Sequence, residues 1–186
     1  DSDGNVYFSV NSYYSENGAV FETVKSAFGD TAPETDWSAV YTNTGFPDAS
    51  MLNSFSDNNG NTISTGSYYK FSDNMLNANY FIVKHDAEGE VAWNVVYNAE
   101  NGNPAEGIIG STDADGNIYV CLLPGFEQFP PALKIIKLSP EATQLWSAEI
   151  ELYNPSVFNI EPQPDGSVYL GGTAKETEQS STASFV

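Results

Sequence analysis

Few residue types in this 186-residue chain are suited to catalysis, beginning with one histidine, His85, and one cysteine, Cys121. Zinc is held by sets of His and Cys, and two lone residues do not make a set. His85 precedes Asp86, but a catalytic triad is assembled in space around a nucleophile, not between sequence neighbours. His85 is therefore expected to be a solvated strand end. Cys121 lies in the run Ile118-Tyr119-Val120-Cys121-Leu122-Leu123, where it reads as a small buried apolar residue. A reactive thiol needs an electropositive, partly exposed setting. Glu149 and Glu151 fall on one side of a strand and imitate a glycosidase pair, although a chain with 25 acidic residues holds many such pairs.

Asp1, Asp3, Asp57, Asp113 and Asp115 stand close to glycines. Clustered carboxylates suit calcium, which prefers oxygen ligands. None of these segments has the twelve-residue ligand spacing of an EF-hand, and Asp, Asn and Gly are also what tight turns require. Ca2+ binding and simple turn formation are thus both open at these residues. Aromatic residues form the other candidate set: Tyr13 and Tyr14, then Tyr68, Tyr69 and Phe71, then Phe126 and Phe129, at similar places in successive parts of the chain. A Tyr ring with a polar tip suits ligand recognition and stacks well on a sugar. Packing beneath their own loops is the competing role.

These residues must be positioned by a scaffold, and the scaffold is periodic. Gly4, Gly60, Gly116 and Gly166 each sit in an Asp/Asn/Gly-rich turn, 56, 56 and 50 residues apart. Trp37, Trp93 and Trp146 follow at 56 and 53, and Lys25, Lys84 and Lys137 each end an apolar run. Three markers in phase at a period near 50 indicate propeller blades or a similar array. Within one period, Ser50–Phe55 and Ile108–Ser111 lead into Asn-Gly or Asp-Gly turns, which are strong hairpin signals because such turns need positive φ. A second strand follows (Thr62-Ile63-Ser64, Ile118-Tyr119-Val120), then a variable loop, a third strand (Tyr80–Lys84), the turn Asp86–Gly89 and a fourth strand (Val91–Tyr97). No segment sustains helical periodicity. Four strands per repeat predict an all-β, propeller-type fold of four-stranded antiparallel blades.

The succession Asp-Gly-Asn-x-Tyr, an apolar strand ending in Lys, then Gly and Trp, best seen from Tyr80 to Trp93 with Asp86 and Gly89, resembles the bacterial seven-bladed β-propeller repeats. It is similar, more loosely, to the Trp-docking repeats of quinoprotein-like propellers. The resemblance covers nearly the whole chain and concerns the scaffold. The first copy departs from it after Lys25, and the third has Pro140-Glu141-Ala142 where the others have Gly. The repeats are placed at 1–49 (partial), 50–106, 107–155 and 156–186 (partial), a single repeat domain of about three and a half blades, incomplete at both ends. Open blade edges expose unpaired backbone groups that template association. The chain is accordingly expected to be a segment of a larger propeller or, less favoured, to complete its ring with another chain.

Six Lys and Arg against 25 Asp and Glu give a formal charge of −19. Such a chain repels phosphate backbones and anionic membrane surfaces, so nucleic acid is not an expected partner. No stretch approaches the length of a membrane span. The longer, irregular connections, Asn11–Ala19, Ser67–Asn79, Gly125–Pro131 and Ala174–Thr182 with the crossings Thr42–Ala49 and Asn98–Gly107, share one face, where function tends to sit. The leading expectation is a non-catalytic extracellular or cell-surface bacterial module binding glycan or protein on that face, or a spacer in a larger surface protein. The alternative is a carbohydrate-active hydrolase or lyase with an Asp/Glu site and a bound cation on the same face.

Overall fold

A computed structural model gives the structure of residues 5–12, 19–27, 34–43, 50–72, 75–98, 105–124, 132–175 and 181–185. They form fourteen strands: β1 (Asn5–Ser12), β2 (Ala19–Ala27), β3 (Glu34–Asn43), β4 (Ser50–Ser56), β5 (Thr62–Ser72), β6 (Met75–His85), β7 (Val91–Asn98), β8 (Ala105–Thr112), β9 (Ile118–Pro124), β10 (Ala132–Leu138), β11 (Gln144–Glu151), β12 (Tyr153–Pro162), β13 (Val168–Lys175) and β14 (Thr182–Phe185). Among the described residues there is no helix. The strands make four antiparallel meanders, β1–β3, β4–β7, β8–β11 and β12–β14, of three, four, four and three strands. None is closed into a barrel. The fold is an all-β, propeller-type repeat of blade-like sheets. The first strand of each sheet lies beside that of the next, β1 against β4, β4 against β8 and β8 against β12.

The hairpin turns explain the period. Asp57 N–H donates to Asn61 O, and Gly60 N–H returns to Asp57 O; the same two bonds recur at Asp86–Glu90, Asp113–Asn117, Ser139–Thr143 and Gln163–Ser167. Only the fourth residue of each is left-handed: Gly60 (φ 78), Gly89 (89), Gly116 (78) and Gly166 (87). This is the three-residue loop that ends in a left-handed residue, not the two-residue turn with two positive φ angles. In the turns that begin at Asp57, Asp86, Asp113 and Ser139 the first side chain accepts further backbone bonds, as when Asp57 Oδ1 takes the N–H groups of Asn59 and Asn61. In the third sheet the left-handed position is Ala142, at φ 67, so the missing glycine there changes the strain and not the turn. Ala142→Gly is expected to raise stability by about 1 kcal/mol, the left-handed cost of a β-carbon less the extra freedom of the unfolded glycine. A higher urea midpoint with unchanged slope would show it.

The core changes character along the chain. Between the second and third sheets, Ile63, Tyr80, Ile82, Ile108, Ile118, Val120, Leu122, Ile136 and Leu138 form one buried cluster. Between the third and fourth, Tyr119, Cys121, Leu123, Leu133, Ile135, Val157, Ile160 and Leu170 form another. Because strand side chains alternate, β9 sends Ile118, Val120 and Leu122 to one cluster and Tyr119, Cys121 and Leu123 to the other. Burial on both faces accounts for its unbroken apolar run. Cys121 is fully buried, as expected, and burial pushes its thiol up to about 12. The contact between the first and second sheets includes a polar pair, the Thr23 and Ser64 hydroxyls sharing a hydrogen bond of 3.0 Å, and Ser64 shares another of 3.2 Å with Ser54 of its own sheet.

One expected loop is a strand pair. Residues 67–79 lie mostly in β5 and β6, which pair from Thr62 opposite His85 as far as Ser72 opposite Met75. Among the described residues, β4 pairs with β5 only as far as Ser50 opposite Ser67 and β7 with β6 only as far as Asn98 opposite Asn79, and the β5–β6 pair continues past both as a two-stranded arm. Tyr68, Tyr69 and Phe71 favour a pleated strand over a loop.

Candidate functional site

The turn end of the sheets is built for structure. Trp37 on β3 donates its indole N–H to Ala87 O at 2.9 Å in the next sheet's turn, and its ring lies so close to Gly89 that a β-carbon there would stand 2.8 Å from Cδ2. Trp93 on β7 does the same one sheet later, donating to Pro140 O at 2.9 Å. Lys84 reaches that carbonyl at 3.5 Å and pairs with Asp57 at 3.2 Å, both side chains being almost wholly buried. Lys137 and Asp113 repeat the pair at 3.3 Å with partial exposure, and the Lys137 ammonium lies 4.7 Å from the centre of the Tyr119 ring.

Two of the carboxylates considered for calcium, Asp57 and Asp113, are engaged in these contacts. Asp57 Oδ2 receives Asn61 Nδ2 and Lys84, while Oδ1 receives two backbone N–H groups. Burial pushes its carboxyl up, but the hydrogen bonds from the Asn61 side chain and backbone, from the Asn59 backbone and from Lys84 outweigh that and hold it below the usual aspartate range. Asp113 takes bonds from Asp115 N, Asn117 N, Asn117 Nδ2 and the Tyr119 hydroxyl, with the same net direction. Asp115 is exposed. Asp1 and Asp3 lie outside the described residues, among which no group of three or more His, Cys, Asp or Glu is placed to hold a metal ion.

The aromatic set is only partly in view. Tyr68 is 4 % exposed and stacks on Phe81 at 6.5 Å, so it packs inward. Tyr69 and Phe71 lie on the β5 arm; Tyr13, Tyr14, Phe126 and Phe129 lie outside the described residues. Glu149 and Glu151 are on exposed β11, with Glu149 3.8 Å from Lys134.

His85 is not a solvated strand end. It is 1 % exposed, its ring 6.3 Å from that of Trp37, and neither ring nitrogen has a hydrogen-bond partner among the described residues. It faces Thr62 across β5, where the third sheet has Leu138 facing Ile118. Burial lowers its pKa, with Asp86 opposing. A histidine with a lowered folded-state pKa costs nothing at neutral pH. As pH falls through the unfolded value near ~6.5, the unfolded chain takes a proton that the folded chain refuses, and stability falls until the folded pKa is passed. Urea midpoints between about pH 7 and about pH 5 should drop, and the drop should shrink in His85→Leu.

The opposite end, toward which the first strands begin and the second strands finish, carries a cleft between the third and fourth sheets. One wall is Gly107, Ile108, Ile109 and Leu123; the other is Pro155, Ser156, Val157 and Phe158 of β12, around a volume of about 250 Å³. A β-carbon on Gly107 would stand 3.1 Å from Leu123 Cδ1, so the glycine leaves that wall open. Leu123 is fixed from behind by the Tyr80 hydroxyl, which donates to Leu123 O at 2.5 Å. Asn154 has φ 49 and the pairing of β12 with β13 slips between Val157 and Asn159. Bulges re-aim side chains, and this one leaves Phe158 72 % exposed at the rim. Among the described residues, Ser156 is the one hydroxyl of the lining, and no acid or base belongs to it. The cleft lies at the end of the sheets where the longer connections were expected, but none of its residues was named as a candidate from the sequence; Asn154-Pro155 ahead of Val157-Phe158 was the available signal of a bent strand with an outward aromatic. No protein-family model and no curated protein matches the sequence.

Proposed function

We propose that the chain is a non-catalytic recognition module of an extracellular or cell-surface protein, and that it binds a protein partner through the cleft between the third and fourth sheets. The observation that carries this is the cleft's chemistry: about 250 Å³ lined by Ile108, Ile109, Leu123, Pro155 and Val157, with exposed Phe158 at its mouth. An apolar pocket of this size suits one aliphatic or aromatic side chain from a partner, an anchor surrounded by a polar rim. Sugar recognition would call for several convergent polar groups, and the side chains here provide one hydroxyl. A hydrolase or lyase needs a pair of carboxylates across its substrate, and the described lining residues include none. The formal charge of −19 favours partners with a basic rim.

Selection from a random-peptide display library, run beside a glycan array, tests the proposal. Enriched peptides are expected to share one apolar anchor and to lose binding about tenfold or more in Phe158→Ser, the size of a single hot-spot contact. Phe158 is exposed, so this change should leave the fold intact. Glycan binding that is indifferent to Phe158→Ser, with no peptide enriched, would overturn it.

A further inference from the structure

We infer that the joint between the first and second sheets is an acid-released hinge, opened when His85 takes a proton. The same joint occurs twice in the chain, and the comparison isolates the residue responsible. Between the second and third sheets, Trp93 donates to Pro140 O at 2.9 Å. There, Ile118 and Leu138 face each other across β9 and β10, inside the buried apolar cluster against which Trp93 packs. Between the first and second sheets, Trp37 donates to Ala87 O at the same 2.9 Å. The two matching positions are Thr62 and His85.

That exchange weakens the joint. Thr62 Oγ1 and both ring nitrogens of His85 are buried without a hydrogen-bond partner among the described residues. Polar atoms left in this way favour the open state, which returns them to water. Neither of the two buried apolar clusters draws a residue from β1, β2 or β3. Bonds across the joint include Trp37 to Ala87 O, Tyr7 to Gly60 O at 3.4 Å and the Thr23 and Ser64 hydroxyl pair at 3.0 Å. The second, third and fourth sheets keep their apolar clusters when these contacts part, so the opening is local.

The charges around His85 do not hold a protonated ring in place. Asp86, next in the chain, favours the proton but is outweighed by burial. Across β5 and β7 the ring faces Thr62 and Val91, which carry no charge. On the first sheet Lys25 stands opposite Trp37 and is paired with Asp36 at 3.0 Å. Lys84 and Asp57 bond to each other, and Lys84 turns toward Pro140 O of the third sheet. Glu88 and Glu90 of the following turn are exposed. Closed, the ring is therefore neutral; open, it titrates as an ordinary histidine near ~6.5. Lowering the pH through that value adds a proton to the open form alone and shifts the joint toward it. At about pH 5 the shift relative to neutral pH is at most about thirtyfold.

Native-state hydrogen exchange of the Trp37 and Trp93 indoles, referenced to N-acetyltryptophanamide at each pH, tests the inference. From about pH 7.5 to about pH 5 the Trp37 rate should rise about tenfold or more. At low urea it should depend only weakly on urea, as a local opening does, while Trp93 shows the steeper dependence of a larger unfolding. In His85→Leu, for which Leu138 is the internal precedent, the acid acceleration of Trp37 should disappear. The urea dependence of the natural chain stands as a test on its own if that variant folds poorly. No acceleration of Trp37 in acid, exchange of Trp37 only with the urea dependence of Trp93, or an acceleration that survives in His85→Leu would overturn the inference.

Discussion

Replacing Lys84 by methionine is expected to cost about 3–5 kcal/mol, the usual effect of removing one partner from a buried ion pair. The change strands the Asp57 carboxylate, 2 % exposed, with hydrogen bonds from Asn59 and Asn61 but no cation, and removes the bond that Lys84 makes to Pro140 O in the next sheet. Urea unfolding reads the loss directly. The double variant Lys84→Met/Asp57→Asn should recover a large part of it, because Asn keeps an acceptor for the two turn N–H groups and carries no charge. The pH dependence gives a second readout. Asp57 has a folded pKa held below its ordinary value, so its stabilisation is full above the unfolded pKa near ~3.9 and is lost as pH falls through the folded one. Without Lys84, acid unfolding should begin at higher pH. The more exposed Lys137–Asp113 pair should give a smaller loss in Lys137→Met, since solvent screens it.

Gly89→Ala is the second large effect, at about 2–5 kcal/mol. Two terms combine: a β-carbon at φ 89 costs about 1–2 kcal/mol, and its 2.8 Å approach to Trp37 Cδ2 forces the ring out of its seat at an overpacking cost of about 1–3 kcal/mol. Gly166→Ala isolates the first term, because the turn has the same conformation, φ 87, with nothing within 4 Å. The difference between the two midpoints therefore measures the tryptophan contact alone. If Gly89 and Gly166 respond equally, Trp37 does not sit where the sheet-to-sheet packing requires.

Much of this scaffold is legible in the sequence because the physics behind it is local. Glycines that must be left-handed recur at Gly60, Gly116 and Gly166, and each is followed by a β-branched or aromatic strand. The strand count in each sheet follows from those markers, and Cys121 is buried because its neighbours alternate between two cores. Three things were not legible. His85 looks like a polar strand end, yet its burial depends on Trp37, 48 residues earlier in the chain. Residues 67–79 look like a loop because Ser, Asn and Asp break the apolar pattern, but strand pairing between β5 and β6 overrides composition. The cleft depends on a register slip at Phe158 and on the missing side chain of Gly107, and a bulge leaves almost no trace in residue types. The repeated residues, for their part, are spent on joining sheet to sheet: Asp57 and Asp113 on turns, Trp37 and Trp93 on neighbouring carbonyls. Under the proposed function, recognition falls to features that the copies do not share.

The most direct test of that division is a methyl-resolved NMR titration of the chain with N-acetylphenylalaninamide, a mimic of one aromatic partner side chain, beside an equal titration with glucose. The account predicts saturable shifts from the amide probe at Ile108, Ile109, Leu123 and Val157 and none from glucose at these methyls. Shifts absent from these four residues, or appearing instead at the turns around Gly60 and Gly116, would contradict it.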